Sequence, residues 1–121
     1  MKNLNKAIRG AITCSNDENS MREATVELLN TILEKNKLKT TDIHFANFSA
    51  TKDLTACYPA KYARLDCGFS DVPMMCYQEM HVENSLEKCI RVMLFADVKS
   101  NNVHHVYLKG AEKLRPDLKE R

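Results

Sequence analysis

The chain has no apolar run approaching the roughly 18 residues that a membrane-spanning helix needs. Its start, M-K-N-L-N-K-A-I-R-G, lacks the apolar core of a signal peptide. A cytoplasmic protein is the expectation. An excess of one charge is missing too: 18 Lys and Arg stand against 16 Asp and Glu, a formal net charge of +2. Nucleic-acid-binding domains usually show a clear basic excess, and here the aromatics are not interleaved with a basic patch, so no nucleic-acid partner is expected. The five cysteines (Cys14, Cys57, Cys67, Cys76 and Cys89) are odd in number and form no C-x-x-C pair. That fits the same compartment and gives no metal-binding spacing. Asn47-Phe48-Ser49 matches a glycosylation sequon, which means nothing without secretion.

Also absent are internal repeats, low-complexity tracts and any Pro/Gly-rich linker. With 121 residues, the chain is expected to form one domain, residues 1–121, around a single core. There is no phosphate loop, no Ser/His/Asp set and no dinucleotide fingerprint. His104 and His105 are adjacent on an expected strand, so their rings should point to opposite faces and cannot share a metal. Neither metal nor cofactor is expected.

What is present reads as alternating strands and helices. A strand is expected over Lys6–Thr13, interrupted by Arg9-Gly10. Met21, Ala24, Leu28 and Ile32, widened by Leu29 and Leu33, then recur at helical steps. Asp17 or Ser20 is placed to cap that helix, which fades near Asn36. Ile43–Ala50 reads as a strand. Pro59 suits a first helical turn and Gly68 its stop. A third strand covers about Val72–Met80, with Pro73 at its beginning. The segment Leu86–Phe95 begins in a form compatible with helix and ends as strand. A turn at Ser100–Asn102 precedes a short last strand in H-H-V-Y-L, and the basic tail is irregular around Pro116. Lys113, Arg115, Lys119 and Arg121 in that tail read as a solvated end, or as a closure over an anion. The order β-α-β-α-β-β-β implies an α+β fold, a mixed β-sheet with helices on one face. The other face, carrying several apolar residues, would be wet in a monomer, which argues for an oligomer.

One stretch poses a physical problem. In Cys89-Ile90-Arg91-Val92-Met93-Leu94-Phe95 a guanidinium interrupts a buried-type strand. Arginine is rarely buried without a partner, and an uncompensated buried charge costs several kcal/mol. Alternation puts Arg91 on the face of Cys89 and Met93, opposite Ile90, Val92 and Leu94. Pattern alone favours a structural ion pair with Glu79 or Glu83; an anion arriving from outside is the other solution. Cys76 has no histidine placed near it by sequence, so a small core residue is its plain reading.

Six collinear motifs bear on that choice: I-R-G-A-I-T (Ile8–Thr13), Y-P-A-K (Tyr58–Lys61), V-P-M-M-C-Y-Q-E-M (Val72–Met80), L-E-K-C-I-R-V-M (Leu86–Met93), H-V-Y-L (His105–Leu108) and L-R-P-D-L (Leu114–Leu118). Together, over nearly the whole chain, they resemble the monofunctional AroH-class chorismate mutases. The resemblance implies a homotrimer whose sheets form a pseudo-α/β-barrel core, with an active site at each subunit interface. The implied reaction is the [3,3] rearrangement of chorismate to prephenate, on the route to phenylalanine and tyrosine.

Carried over by motif, Arg91 is the cation for the ether oxygen, and Arg9 and Tyr107 bind the side-chain carboxylate. Glu79 and Cys76 meet the ring hydroxyl. Plain alternation puts those two on opposite faces, so either the strand ends or bulges there, or Cys76 acts from a neighbouring subunit. Tyr58, Ala60 and Leu114 match apolar wall positions, while Lys61, Arg64 and Arg115 match basic groups near the mouth. On this reading Glu79 faces Arg91 across the pocket and is not its permanent partner. The chain departs from the family at Tyr58, where phenylalanine is usual, and at Met75, which replaces a smaller polar residue beside Cys76. His81-Val82-Glu83-Asn84 replaces an Asp- and Gly-containing turn, and the tail is short. The rival reading is a catalytically silent or imine-deaminase-like trimeric relative of the same general fold, which would be expected to lose at least one of Arg9, Glu79, Arg91 and Tyr107.

Overall fold

A computed structural model of the chain describes residues 4–118; Lys119 and Arg121 lie outside the described residues. The order is β1 (Leu4–Thr13), α1 (Glu18–Lys35), β2 (Ile43–Ala50), α2 (Pro59–Asp66), β3 (Met74–Gln78), β4 (Cys89–Val98) and β5 (Val106–Leu108). Three short 3-10 turns, Thr40–Asp42, Lys109–Leu114 and Pro116–Leu118, complete it.

The strands form one sheet in the order β3-β2-β4-β1-β5. β4 runs antiparallel to both β1 and β2, whereas β1/β5 and β2/β3 are parallel. The sheet is therefore mixed, and the fold is α+β. Alternation decides its two faces. Ile8 and Ile12 of β1, Ala46 and Phe48 of β2, and Ile90, Val92, Leu94 and Ala96 of β4 share one core with Met21, Leu28, Leu29 and Ile32 of α1 and Ala63 of α2. Both helices thus lie on one face. On the opposite face Phe45, Met75, Tyr77 and Met93 are exposed.

Local chemistry sets the element boundaries. Asp17 caps α1, its carboxylate accepting from the Ser20 N–H at 2.8 Å; Ser20 instead accepts from the Ser15 N–H at 2.9 Å. Pro59 opens α2, and Gly68, at φ +76°, supplies the left-handed turn after it. β3 is shorter than the expected Val72–Met80. Val72 is tied back to Phe69 in a turn, and Pro73 has no N–H to pair, so the ladder begins at Met74.

Three expectations are corrected. Residues 86–88 start no helix: Lys88 sits at φ +51° and its N–H is taken by the Asp53 carboxylate, so β4 begins abruptly at Cys89. His104 and His105 precede β5 and do not lie in it. Asn36 captures the His104 backbone, accepting from its N–H at 2.7 Å and donating to its carbonyl at 2.9 Å. The His105 Nδ1 accepts from the Arg9 N–H at 3.0 Å, taking the place a strand carbonyl would occupy. The tail is a pair of 3-10 turns, and the first of them lays Ala111 over Ala11 and Cys89, with Leu114 packed alongside. It covers one corner of the otherwise open face.

Gly10 is where the helix layer comes closest to β1. A Cβ there would stand 2.7 Å from Ile32 Cδ1, 3.1 Å from Leu28 Cδ1 and 3.2 Å from the Val106 carbonyl oxygen. The two side-chain tips can yield, but the β5 backbone cannot without disturbing its pairing. Gly10→Ala is expected to lower stability by about 1–3 kcal/mol, as overpacking does, read as a lower midpoint in chemical denaturation. A wild-type midpoint would show that the layers have slack.

Candidate active site

Strand alternation brings four side chains from distant parts of the chain to the open face. Arg9 comes from β1, Arg91 from β4 and Tyr107 from β5. Glu79 follows β3, its N–H bonded to the Ala50 carbonyl at 2.9 Å. All four line one cavity of about 390 Å³, with Asn47, Ser49, Tyr77 and Met93 among the remaining walls. The register explains the grouping: Ala11 stands opposite both Arg91 and Tyr107, and Ser49 stands opposite Arg91 from the other side.

Arg91 meets Glu79, Nε lying 3.1 Å from Oε2. The two therefore form an ion pair, the structural pairing that pattern alone favoured. The partner is Glu79, of the two carboxylates the pattern allowed. The contact is close in distance but misaligned. Nε is shielded from water yet makes no hydrogen bond, which leaves a strong donor unmatched. The Arg91 side chain is 42% exposed and that of Glu79 30%, so a lone chain does not provide a dry site.

The other motif residues lie elsewhere. Cys76 projects from β3 to the helix side, opposite Met75 and Tyr77. It lines a second cavity of about 570 Å³, at the edge of the sheet, with Cys57, Tyr58 and Lys61. Ala60 lies against it, its backbone favouring the thiolate while burial raises the thiol's pKa more strongly. Lys61 does not stand free: it pairs with Glu18 at 3.0 Å, and the same carboxylate accepts from the Tyr62 hydroxyl. Arg64 is exposed on α2 and borders neither cavity. Met75 is exposed on the open face, its sulfur accepting from the Tyr77 hydroxyl at 3.2 Å. Leu114 belongs to the corner cluster, and Arg115 forks onto Asp117 at 2.9 and 3.1 Å with Tyr107 beside it.

Electrostatics limits what the cysteines do. Burial pushes the Cys14 and Cys67 thiols up to about 11, and it raises Cys57, Cys76 and Cys89 as well. At neutral pH all five are thiols, and the thiolate is the nucleophile, so the site has hydrogen-bonding sulfur and no attacking sulfur. The raised values also set an alkaline limit. A thiol whose folded pKa lies above its unfolded value, near 9.0, stabilises the fold fully below that value and loses the contribution as pH climbs to the folded one. Denaturation midpoints are expected to fall between about pH 9 and pH 11, and less steeply in Cys14→Ala/Cys67→Ala. An identical slope in the variant would exclude these thiols as the cause.

Sequence reasoning missed Asn47, Ser49 and Tyr77 as cavity walls. The available signal was the β2 alternation, which puts Asn47 and Ser49 on the face opposite Phe48. It also missed Glu18 beside Lys61 and Asp53 behind β4, since contacts across such sequence separations leave no local pattern. Among the described residues no group of three or more His, Cys, Asp or Glu could hold a metal ion, and no helix is long and apolar enough to cross a membrane.

Comparisons with known proteins converge. The family described as chorismate mutase type I matches residues 5–118. The chain is 44% identical over 116 residues to chorismate mutase AroH of Bacillus subtilis (strain 168), covering 93% of this chain and 91% of that protein. It is 39% identical over 117 residues to chorismate mutase AroH of Thermus thermophilus, covering 93% and 95%. Among solved structures, the chorismate mutase from Clostridium thermocellum superimposes with a TM-score of 0.86 at 42% identity, covering 89% of this chain and 98% of that one.

Proposed function

We propose a mechanism from the premise that this chain belongs to the chorismate mutase type I family. The chain is an enzyme of that kind, and its reaction is the rearrangement of chorismate to prephenate. The imine-deaminase-like alternative is set aside, because both curated relatives and the solved structure are named as mutases.

The reaction is a [3,3] shift: one C–O bond breaks, one C–C bond forms, and no atom, proton or electron enters or leaves. The protein therefore has two tasks. It holds a flexible dianion in its compact reactive conformer, and it stabilises charge as the C–O bond breaks ahead of C–C formation. Negative charge grows on the ether oxygen. Arg91 answers that charge, and its unmatched Nε is the observation that supports the role best. Arg9 and Tyr107 hold the side-chain carboxylate. Glu79 accepts from the ring hydroxyl and faces the electron-poor ring. Cys76 meets the same hydroxyl, Tyr58, Ala60 and Leu114 form apolar walls, and Lys61, Arg64 and Arg115 steer the ring carboxylate at the mouth. Met75 shapes the pocket beside them. No metal or cofactor is required by this chemistry.

The two groups of residues line separate cavities, with Tyr77 bordering both, and Cys76 leaves β3 on the face opposite the one that carries Arg91. A homotrimer resolves this: the open faces pack into a shared barrel-like core, and each site joins the Arg91 cavity of one subunit to the Cys76 cavity of its neighbour. The exposed Phe45, Met75, Tyr77 and Met93 support that assembly, since a face of this kind is normally covered. We take residues 1–121 as one domain of a cytoplasmic enzyme.

Loss of chorismate ultraviolet absorbance on adding the purified protein, in chelator and with no added cofactor, is the expected result. An absence of protein-dependent loss at substrate saturation would sink the proposal.

A further inference from the structure

We infer that Asp53, which touches neither cavity of the proposed site, is a positioning residue that sets Arg91 and Glu79 in register through Thr51. The inference rests on the reading of Arg91 given above.

The loop after β2 is where the strand ends bearing the two charges are tied together. Ala50 accepts from the Glu79 N–H at 2.9 Å. The next residue, Thr51, holds the first residue of β4 twice: its N–H donates to the Cys89 carbonyl, and its Oγ1 accepts from the Cys89 N–H, both at 3.0 Å. A hydroxyl that accepts from Cys89 must send its own proton elsewhere, and it donates to Asp53 Oδ1 at 2.6 Å. The same carboxylate accepts from the Lys88 N–H, at 3.2 Å and 3.1 Å to its two oxygens. Lys88 is held there at φ +51°, a conformation that a residue with a Cβ adopts only when its surroundings impose it. Its carbonyl accepts from the Cys14 N–H at 3.0 Å, so the end of β1 joins the same knot.

Asp53 is suited to this by charge as well as by shape. Burial alone would raise its pKa, but the hydrogen bonds from Thr51 and Lys88 outweigh burial and hold the carboxyl below its ordinary range. It is an ionised acceptor at any working pH. From Cys89 the effect reaches the guanidinium along one strand, because Cys89 and Arg91 share a face of β4 and the Arg91 charge acts on the buried Cys89 thiol. Losing Asp53 frees the Thr51 hydroxyl to rotate, releases the strained Lys88, and lets the start of β4 shift against the strand end that carries Glu79. Misplacement of a reacting group by about 1 Å costs as much as 10²-fold in rate.

The test is a double-mutant cycle on kcat and KM for chorismate. Asp53→Ala should lower kcat about tenfold at temperatures well below its melting point, with KM within about threefold. Asp53→Asn, whose single amide oxygen accepts one of the lost bonds, should recover part of that loss. In an Arg91→Ala background the same change should alter kcat less than about twofold, as for residues acting through one another. Should Asp53→Ala not fold, Thr51→Val and Asp53→Asn take its place in the cycle. Wild-type kcat in folded Asp53→Ala or Thr51→Val, beside a large loss in Arg91→Ala, would overturn this inference alone. An equal loss with and without Arg91 would also overturn it. Wild-type kcat in Arg91→Ala would overturn the reading of Arg91, and this inference with it.

Discussion

Arg91→Ala is expected to lower kcat by about 10²–10³-fold, corresponding to the roughly 3–4 kcal/mol that one preplaced donor to a developing oxyanion supplies. Arg64→Ala should leave kcat within about threefold of wild type and affect chiefly kcat/KM, in a salt-dependent manner, because an exposed cation outside the cavity acts by steering. The contrast follows from placement. Arg91 rises from the middle of β4 into the cavity that also holds Arg9, Glu79 and Tyr107, whereas Arg64 is exposed on α2. Truncating Arg91 does a second thing, leaving the Glu79 carboxylate without its cation. Part of the loss is therefore the cost of that unpaired charge, and Arg91→Lys, which restores charge without the planar fork, separates the two contributions. Stopped assays at saturating substrate give kcat directly, and comparable kcat losses in the Arg91 and Arg64 variants would contradict the assigned roles.

Ion pairing within the chain bears on this contrast. Each of three cations proposed to meet substrate already has a carboxylate: Arg91 has Glu79, Lys61 has Glu18 and Arg115 has Asp117. Each of these cations is thus neutralised locally before a dianion arrives. The pairs are exposed enough for water to screen them, so an entering carboxylate exchanges partners at small cost. Arg91 differs from the other two because its strand fixes where it points.

Much of the fold was legible because its signals are local. The three- and four-residue spacing of Met21, Ala24, Leu28 and Ile32 marks α1, and Pro59 with Gly68 brackets α2. Ile43–Ala50 has the same bounds in sequence and in structure. Reading failed where a distant side chain takes over a backbone group. Asp53 stops a helical start at Lys88, and Asn36 with the Arg9 N–H holds His104 and His105 out of β5. None of these pairings has a sequence period. The Arg91 problem was visible in one heptapeptide, but its solution was not: alternation gave the face, and only the sheet order, which sets β2 and β1 on either side of β4, brings Ser49 and Ala11 beside it. Cys76 and Glu79 were legible as a conflict, three residues apart on a strand. The structure keeps them on opposite faces, and the proposed trimer is what would reunite them at one site.

Mixing two impaired variants tests that assembly with a large expected signal. Arg91→Ala disables the cavity that holds Glu79, and Lys61→Glu puts a negative charge in the cavity that holds Cys76. A negative charge placed where a substrate carboxylate must sit repels it, so a loss of about fivefold or more is expected from Lys61→Glu alone. Co-refolded in equal amounts, the two chains should assemble at random into trimers. Under heterologous cyclic symmetry each site takes one half from a subunit and the other half from the next. The first half is intact in every Lys61→Glu chain and the second in every Arg91→Ala chain, so about one site in four receives both intact halves. The mixture should then reach roughly a quarter of wild-type activity, above either variant by itself. If each site lay within one chain, no chain in the mixture would have both halves, and activity would be only the average of the two variants. The two outcomes differ severalfold at the same protein concentration. The second would remove the interface from the mechanism while leaving the role of Arg91 standing.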